Sequence, residues 1–139
     1  MSKSNTLENA VLLLLFNATA IADLARDAAV PVTTLTVSLH TADPGEAGTM
    51  ATSEATYTSY ARQTAARTSA GWTVTANSVS PVAAITFPEA TGGSETITHF
   101  GVGTGVTNNL MYSGTVTPNI VVTTGVQPVL KTTSTITED

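Results

Sequence analysis

The sequence predicts a mainly-β fold, a jelly-roll-like antiparallel β-sandwich of about seven to nine short strands with an N-terminal α-helix. Threonine supplies about a fifth of the chain, and β-branched residues suit the pleated surface of a sheet. Glycine, proline, asparagine and serine interrupt short alternating runs about every eight to twelve residues beyond residue 40. The apolar residues before residue 30 instead recur at helical spacing.

The length of 139 residues fits one domain with one core. We therefore predict a single domain over residues 1–139, with a helical segment in residues 1–30 and a β-sandwich in residues 33–137. No repeat period favours a solenoid or a propeller. Helices do not alternate with the strands, so a parallel α/β sheet is not expected.

Two helical stretches are predicted in the N-terminal segment. The first covers residues 5–16, with Ser4 or Thr6 placed to cap its first N–H groups. The second covers residues 21–29 and ends before Pro31, because the residue preceding a proline is pushed out of the α region.

The first helix is more apolar than one sheet can cover. Its helical-spaced stripe is expected to lie on the sheet, while Leu12, Leu13 and Phe16 fill the other sides. That stripe is formed by Leu7, Val11, Leu14 and Leu15. Leaving three large apolar side chains in water costs several kcal/mol at about 1.5–3 kcal/mol each. The pattern therefore indicates a second chain or another element against this helix.

The first strand and the turn after it are the clearest local signals. Residues 35–40 alternate apolar and polar side chains, as in a strand with one buried face. Asp43, Pro44 and Gly45 then combine a side chain that bonds its own backbone, a fixed φ and a residue that tolerates positive φ. A turn is therefore predicted at this point.

The remaining elements are predicted to be short strands and loops. Residues 47–60 form a long loop anchored by Tyr57 and Tyr60, and residues 62–67 and 71–76 are candidates for a hairpin. Later strands are predicted at residues 82–87, 95–102, 110–116, 120–123, 125–130 and 131–136. Pro118 and Asn119 are expected to break the strand that precedes them.

Composition excludes several classes of partner. The net charge is −5, only 11% of residues are charged and the five basic residues form no run, so no nucleic-acid partner is expected. The apolar run in residues 10–16 is far shorter than the roughly 20 residues of a membrane span. Such a charge-poor surface is typical of a protein that its neighbours cover.

No constellation of residues indicates an enzyme, and no cofactor or small-molecule substrate is expected. His40 and His99, with Asp43 and Glu46, could ligate a divalent metal, but hydrogen-bonded strand histidines are the favoured interpretation. The glycines of residues 101–105 lack the spacing and the following helix of a nucleotide loop, so a sharp corner of the sheet is predicted instead.

Six segments together resemble a family of small virion proteins of tailed phages, and they look like the capsid cement, or decoration, protein of a Bordetella phage. The segments are residues 1–5, 38–48, 60–62, 71–74, 85–93 and 98–104. The resemblance implies a jelly-roll-like protein on the outer surface of an icosahedral head. It further implies a dimer that ties neighbouring major capsid proteins together.

The function expected from the sequence is therefore that of a capsid cement protein that binds the outer capsid surface of the virion without turnover. The alternative is a tail or tail-fibre structural component, and a third class is a carbohydrate-binding module. The major capsid protein and a second copy of the chain are the expected partners. The predicted interface residues are Leu12, Leu13, Phe16, Asp43, Pro44 and Glu46.

Overall fold

A computed structural model describes residues 4–21, 31–105 and 108–138 of the chain. These residues form one helix and nine strands, and the predicted mainly-β class with antiparallel strands and an N-terminal helix is confirmed. The elements are α1 (Asn5–Asn17), β1 (Thr34–His40), β2 (Gln63–Ala66), β3 (Trp72–Thr75), β4 (Ser78–Pro81), β5 (Ile85–Thr86), β6 (Glu95–Gly103), β7 (Leu110–Val122), β8 (Val129–Leu130) and β9 (Ile136–Thr137).

The chain forms two compact units, each assembled from separate stretches of sequence. The first unit contains Met1–Leu35, Ala65–Ala84 and Lys131–Asp139. The second unit contains Thr36–Thr64 and Ile85–Leu130. Two of the four boundaries fall within β1 and β2, and the other two lie at the start of β5 and the end of β8. The single-domain prediction for residues 1–139 stays a prediction.

The first unit packs α1 against a three-stranded antiparallel sheet in the order β3-β4-β9. Ser4 caps the helix as predicted, since its side chain accepts a hydrogen bond from the backbone N–H of Leu7. At the other end Ala18 takes the left-handed conformation, with φ of 56°, and its N–H bonds to the carbonyl of Leu13. The second predicted helix, residues 21–29, lies almost wholly outside the described residues.

The predicted hairpin between residues 62–67 and 71–76 is wrong. Strand β3 pairs instead with β4, with Trp72 opposite Pro81 and Thr75 opposite Ser78. A tight turn at Ala76 and Asn77 joins them, and Ala76 has a φ of 53°, a conformation that an alanine does not signal in the sequence. Strand β2 lies beside β1 in a different sheet.

The second unit is organised on β1, β6 and β7, which are consecutive in a four-stranded sheet of order β2-β1-β6-β7. Strands β1 and β6 are antiparallel, with Thr36 opposite Gly103 and His40 opposite His99. A separate two-stranded sheet pairs β5 with β8. The apolar core here includes Val37, Leu39, Met50, Phe87, Ile97, Val102 and Val122.

Strand β7 does not end at Pro118, contrary to the prediction. Its register against β6 shifts between Ile97 and His99, so that residues 116–119 lie opposite the single residue Thr98. The Thr117–Pro118 peptide bond within this bulge is cis. An outer strand tolerates a proline at a bulge because no inter-strand N–H is needed there. Pairing resumes with Ile120 opposite Ile97.

Within the described ranges, no helix has both the length and the apolar character needed to cross a membrane.

Candidate functional site

The six predicted interface residues lie on two elements, α1 in the first unit and the turn after β1 in the second. Hydrogen bonds from distant residues fix the end of α1 and the loop that follows the turn.

Two of the three helix residues are interior to the first unit. Leu12 and Phe16 have 0% exposed surface, and the ring of Phe16 meets the ring of Trp72 edge-on at 5.0 Å between centroids. Leu13 is half-buried. The sequence indicated a second chain or another element against this helix, and for Leu12 and Phe16 other elements of the first unit provide the cover. Whether the helix contacts a partner stays a prediction, and Leu13 is the one of the three with solvent-facing surface.

The orientation predicted for the helix is reversed. Glu8, Leu12 and Phe16, which follow one another at a spacing of four, form the buried stripe. The stripe expected to lie on the sheet is more exposed, with Leu7 at 39% and Val11 half-buried. Both stripes are largely apolar. The buried stripe was not recognised in the sequence because it contains Glu8, and a carboxylate is seldom buried.

Arg67 holds the C-terminal end of α1 and is itself buried. Its Nε and Nη2 donate hydrogen bonds of 2.6 Å to the carbonyl oxygens of Leu15 and Leu14. Those carbonyls belong to the last turn of the helix, where a positive charge also opposes the negative end of the dipole. The pattern of the sequence gave no signal for this contact, since Arg67 lies about fifty residues further along the chain.

The predicted turn at residues 43–45 is confirmed. Asp43 Oδ1 accepts a 2.9 Å hydrogen bond from the N–H of Gly45, whose φ is +70°. Asp43 and Glu46 are exposed, whereas Pro44 is buried. The two carboxylates are therefore accessible to a partner, and the proline ring is packed within the chain.

The turn lines a cavity of about 320 Å³ together with the beginning of β7. Its lining comprises Asp43, Gly45, Glu46, Gly48, Leu110, Met111, Tyr112 and Ser113. The structure thus brings the predicted turn beside a strand for which no interface residue was predicted. The cavity combines two carboxylates with half-buried apolar side chains.

His40 fixes the loop that follows this turn. It has 0% exposed surface, with Nε2 2.8 Å from Ser38 Oγ and Nδ1 2.8 Å from the carbonyl oxygen of Thr52. Burial lowers the pKa of His40 below its usual value. The neutral imidazole donates from Nδ1 to the carbonyl, which leaves Nε2 to accept from the serine hydroxyl.

Gly101 makes room for this histidine. A Cβ at residue 101 would lie 2.8 Å from His40 Nε2 and 2.9 Å from Ser38 Oγ, inside the contact distance of any real side chain. The sheet corner predicted for residues 101–105 corresponds to the end of β6, which stops at Gly103 and is followed by Gly105 with a φ of +73°. Gly101 and Gly103, within the strand, also permit close approach of neighbouring groups.

A second network joins the loop to β1. Arg62 donates from Nε and Nη2 to the two carboxylate oxygens of Glu54 at 2.6 Å each. The Tyr60 hydroxyl donates to Glu54 at 3.0 Å and accepts from the N–H of Leu39 at 3.0 Å. Burial raises the pKa of Tyr60, and the hydrogen bond to Glu54 raises that of Arg62. Each group therefore keeps the proton that it donates.

Glu95 and Tyr57 fix the far end of the loop. The Glu95 carboxylate accepts from the N–H groups of Thr56 and Tyr57 at 3.0–3.1 Å and from the Thr56 hydroxyl at 3.2 Å. The Tyr57 hydroxyl donates to the carbonyl of Pro88 at 3.0 Å, and burial raises its pKa to about 12. Both tyrosines predicted as anchors thus have partners in the second unit.

The two histidines lie opposite each other on β1 and β6, a contact that the sequence did not reveal. His99 Nδ1 lies 2.8 Å from the hydroxyl of its neighbour Thr98. In the part of the chain that the structure describes, no three histidine or carboxylate side chains are grouped so as to hold a metal ion.

Comparison with known families identifies the family to which this chain belongs. No curated protein matches the chain. A family model described as podophage GP4 fiber I protein gp80 matches residues 2–137, which is nearly the whole chain. The chain therefore belongs to the podophage GP4 fiber I protein gp80 family, and it is a structural protein of a phage virion.

Proposed function

We propose that this protein is a structural component of a podophage fibre, which binds other virion proteins by non-covalent contacts and performs no chemical turnover. The single observation that carries the proposal is the match of residues 2–137 to a family described as a fibre protein. A match over this length relates both units of the chain to that family.

The accessible side chains suggest how such a component would bind. Asp43 and Glu46 project beside the cavity, and the hydrogen bonds of His40 and Glu54 hold the following loop in one conformation. A loop that is already ordered loses little conformational entropy on binding. Modest contacts of this kind become strong when a symmetric assembly repeats them.

A second candidate is a capsid cement protein on the outer surface of the head, with the major capsid protein as its partner. The six segments that resemble a Bordetella phage cement protein favour it, and the net charge of −5 suits a surface that faces away from DNA. The description of the matching family supports the fibre assignment more directly.

Fractionation of the virion separates these two functions. Heads and tails with attached fibres would be purified from disrupted virions, and the chain would be identified in each fraction by mass spectrometry and by gold-labelled antibody. We expect the chain in the tail and fibre fraction. The major capsid protein would serve as the marker for the head fraction.

Recovery with empty, DNA-free heads would overturn the fibre assignment in favour of the cement protein. Absence from every purified virion fraction would overturn both. A helix contact can be tested in parallel with Leu7→Asp and Leu13→Asp, which alter side chains with exposed surface and spare the buried stripe. Loss of incorporation by these variants, with the fold intact, would assign α1 to the interface.

A further inference from the structure

The cavity beside the acidic turn is a surface whose partner the proposed function does not specify. It lies within the second unit, because one wall comes from residues 43–48 and the other from residues 110–113. Its volume of about 320 Å³ is at the lower end of the range for ligand sites, which is roughly 300–1,000 Å³. A cavity of this size accommodates one large side chain or a molecule of similar size.

The two walls differ in chemistry. The turn contributes the exposed carboxylates of Asp43 and Glu46. Strand β7 contributes the half-buried apolar side chains of Leu110 and Met111. Two exposed carboxylates alone bind a cation weakly, because water solvates both partners. The apolar wall adds surface that the aliphatic part of a long cationic side chain can cover. The cavity therefore matches a side chain that is apolar along its length and cationic at its end.

The cavity carries negative charge that the chain's own cations do not balance locally. The described residues that line it include no Lys or Arg. Arg62 is bonded to the carboxylate of Glu54, and Arg67 is buried in the first unit, where it donates to carbonyls of α1. A cation supplied by a partner therefore finds complementary charge in the cavity.

Both walls are held in place by contacts within the chain. Asp43 Oδ1 accepts a 2.9 Å hydrogen bond from the N–H of Gly45, and the N–H of Gly48 donates to the carbonyl of Gly45 at 3.0 Å. On the other wall, Leu110 Cδ1 lies beside Gly101, 2.8 Å from the position that a Cβ there would occupy. A carboxylate has further lone pairs after it accepts one bond, so Asp43 can hold the turn and also accept from a partner.

We propose that this cavity binds an arginine side chain of a neighbouring virion protein. The planar guanidinium donates two parallel hydrogen bonds to a carboxylate, which the ammonium group of lysine cannot do in the same fixed geometry. A guanidinium is also less strongly hydrated than an ammonium group, which favours arginine at a partly apolar surface. The inference rests on the proposed function in one respect, namely that the partner is a virion protein.

Titration of the full chain with a small probe, followed by nuclear magnetic resonance, tests this binding. The probe is N-acetyl-arginine amide, and the control is N-acetyl-citrulline amide, which has nearly the same shape without the charge. We expect saturable shifts of the amide signals of Gly45, Gly48 and Met111. The dissociation constant should be on the order of 1 mM, because one side chain supplies few contacts. The citrulline probe should produce no saturable shift over the same concentrations.

Matched variants test the part played by the two carboxylates. Glu46→Gln removes one charge and should weaken binding of the arginine probe about threefold, and the addition of Asp43→Asn should bring the loss to about tenfold. Asparagine retains the oxygen that accepts from the N–H of Gly45, so the turn is kept. Glu89→Gln removes an exposed carboxylate of the same unit outside the cavity lining and should leave binding unchanged.

The same titrations contain the results that would overturn the inference. Equal shifts with the citrulline probe, or equal binding by the Glu46 and Glu89 variants, would contradict it. Saturable shifts of the same amides with calcium chloride, at concentrations well below those of the arginine probe, would identify a metal site instead. Shifts that depend on protein concentration alone would identify a second copy as the occupant. Either of these two results would also overturn it.

Fractionation of the virion gives an independent result. A chain that is recovered with fibres but does not bind the arginine probe would overturn this inference and leave the fibre assignment intact. A chain that is recovered with heads and binds the probe would overturn the fibre assignment and leave the arginine site intact, because the probe contains no part of either partner.

Discussion

The two units of the chain use their polar contacts differently. The first unit buries Phe16, Leu12 and Trp72 beneath α1, and Arg67 holds the end of that helix. The second unit has its own apolar core, and polar side chains there fix a loop, as Glu95 does with the backbone of residues 56–57. Apolar burial is non-directional, whereas each polar contact fixes one loop in one position.

The difference lies in what the polar contacts fix, which is a helix end in the first unit and a loop in the second. Along the loop of residues 41–62, His40, Glu54 and Glu95 each fix one point by hydrogen bonds. Such a loop can hold the acidic turn in position for a partner. Variants in each unit test how much these apolar and polar contacts contribute.

The largest effect is expected in the core of the first unit. Phe16→Ala removes a fully buried ring that contacts Trp72, and a loss of about 3–5 kcal/mol in the free energy of unfolding is expected. Urea denaturation monitored by tryptophan fluorescence measures it, since Trp72 is the single tryptophan. Leu7→Ala on the exposed stripe is the control, and equal losses for the two variants would contradict the assigned orientation of α1.

A smaller loss of stability is expected when Arg67, which donates hydrogen bonds to the C-terminal end of α1, is replaced. Arg67→Met keeps the bulk of the side chain but leaves the carbonyls of Leu14 and Leu15 without these hydrogen bonds, at a cost of roughly 1.5–3 kcal/mol. Thermal unfolding of this variant would be compared with that of Lys131→Met, which alters an exposed cation. Similar midpoints for the two variants would show that Arg67 contributes no more than a surface charge.

In the second unit, Glu95→Gln should lower the free energy of unfolding by about 1 kcal/mol, because a neutral amide accepts hydrogen bonds less strongly than a carboxylate. The effect should be local, with faster hydrogen exchange at the amides of Thr56 and Tyr57. The exposed Glu89→Gln is the matched control. Unchanged hydrogen exchange at residues 56–57 in the Glu95 variant would show that the carboxylate does not hold the loop in place.

The smallest effect expected is a pH dependence that arises from His40. Because burial lowers its pKa in the folded chain, the unfolded chain binds the proton first as pH falls below about 6.5. The contribution of His40 is therefore constant above that pH and turns destabilising as the solution becomes more acidic. Melting temperatures measured between about pH 7.5 and 5.5 should fall more for the wild type than for His40→Gln. Equal slopes for the wild type and His40→Gln would contradict the assignment.

Local signals in the sequence predicted much of the fold. Alternation predicted β1 and β6, and the Asp43-Pro44-Gly45 run predicted the turn that the structure contains. These features depend on neighbouring residues, so a short window is sufficient to identify them. The helix was also predicted at nearly its observed bounds, because its cap and apolar run are local.

The candidate site depended on contacts that no local pattern encodes. Periodicity could not distinguish the two apolar stripes of α1, and a buried Glu8 concealed the correct one. The cavity joins the turn to the start of β7, which lies about sixty-five residues away in sequence. The space that Gly101 leaves for His40 arises only when β1 and β6 are paired. Such features follow from the topology of the sheet.

Because β9 follows all the other described strands in the sequence, it also determines when the first unit can be completed during synthesis. Its residues, Ile136–Thr137, pair with Ser78 and Val79 of β4, yet the ribosome adds them after every residue of the second unit. A nascent chain can thus finish one unit while the sheet beneath the helix still lacks a strand. A premature stop after Leu130 would spare the earlier-completed unit and leave Val79 without Ile136 beside it.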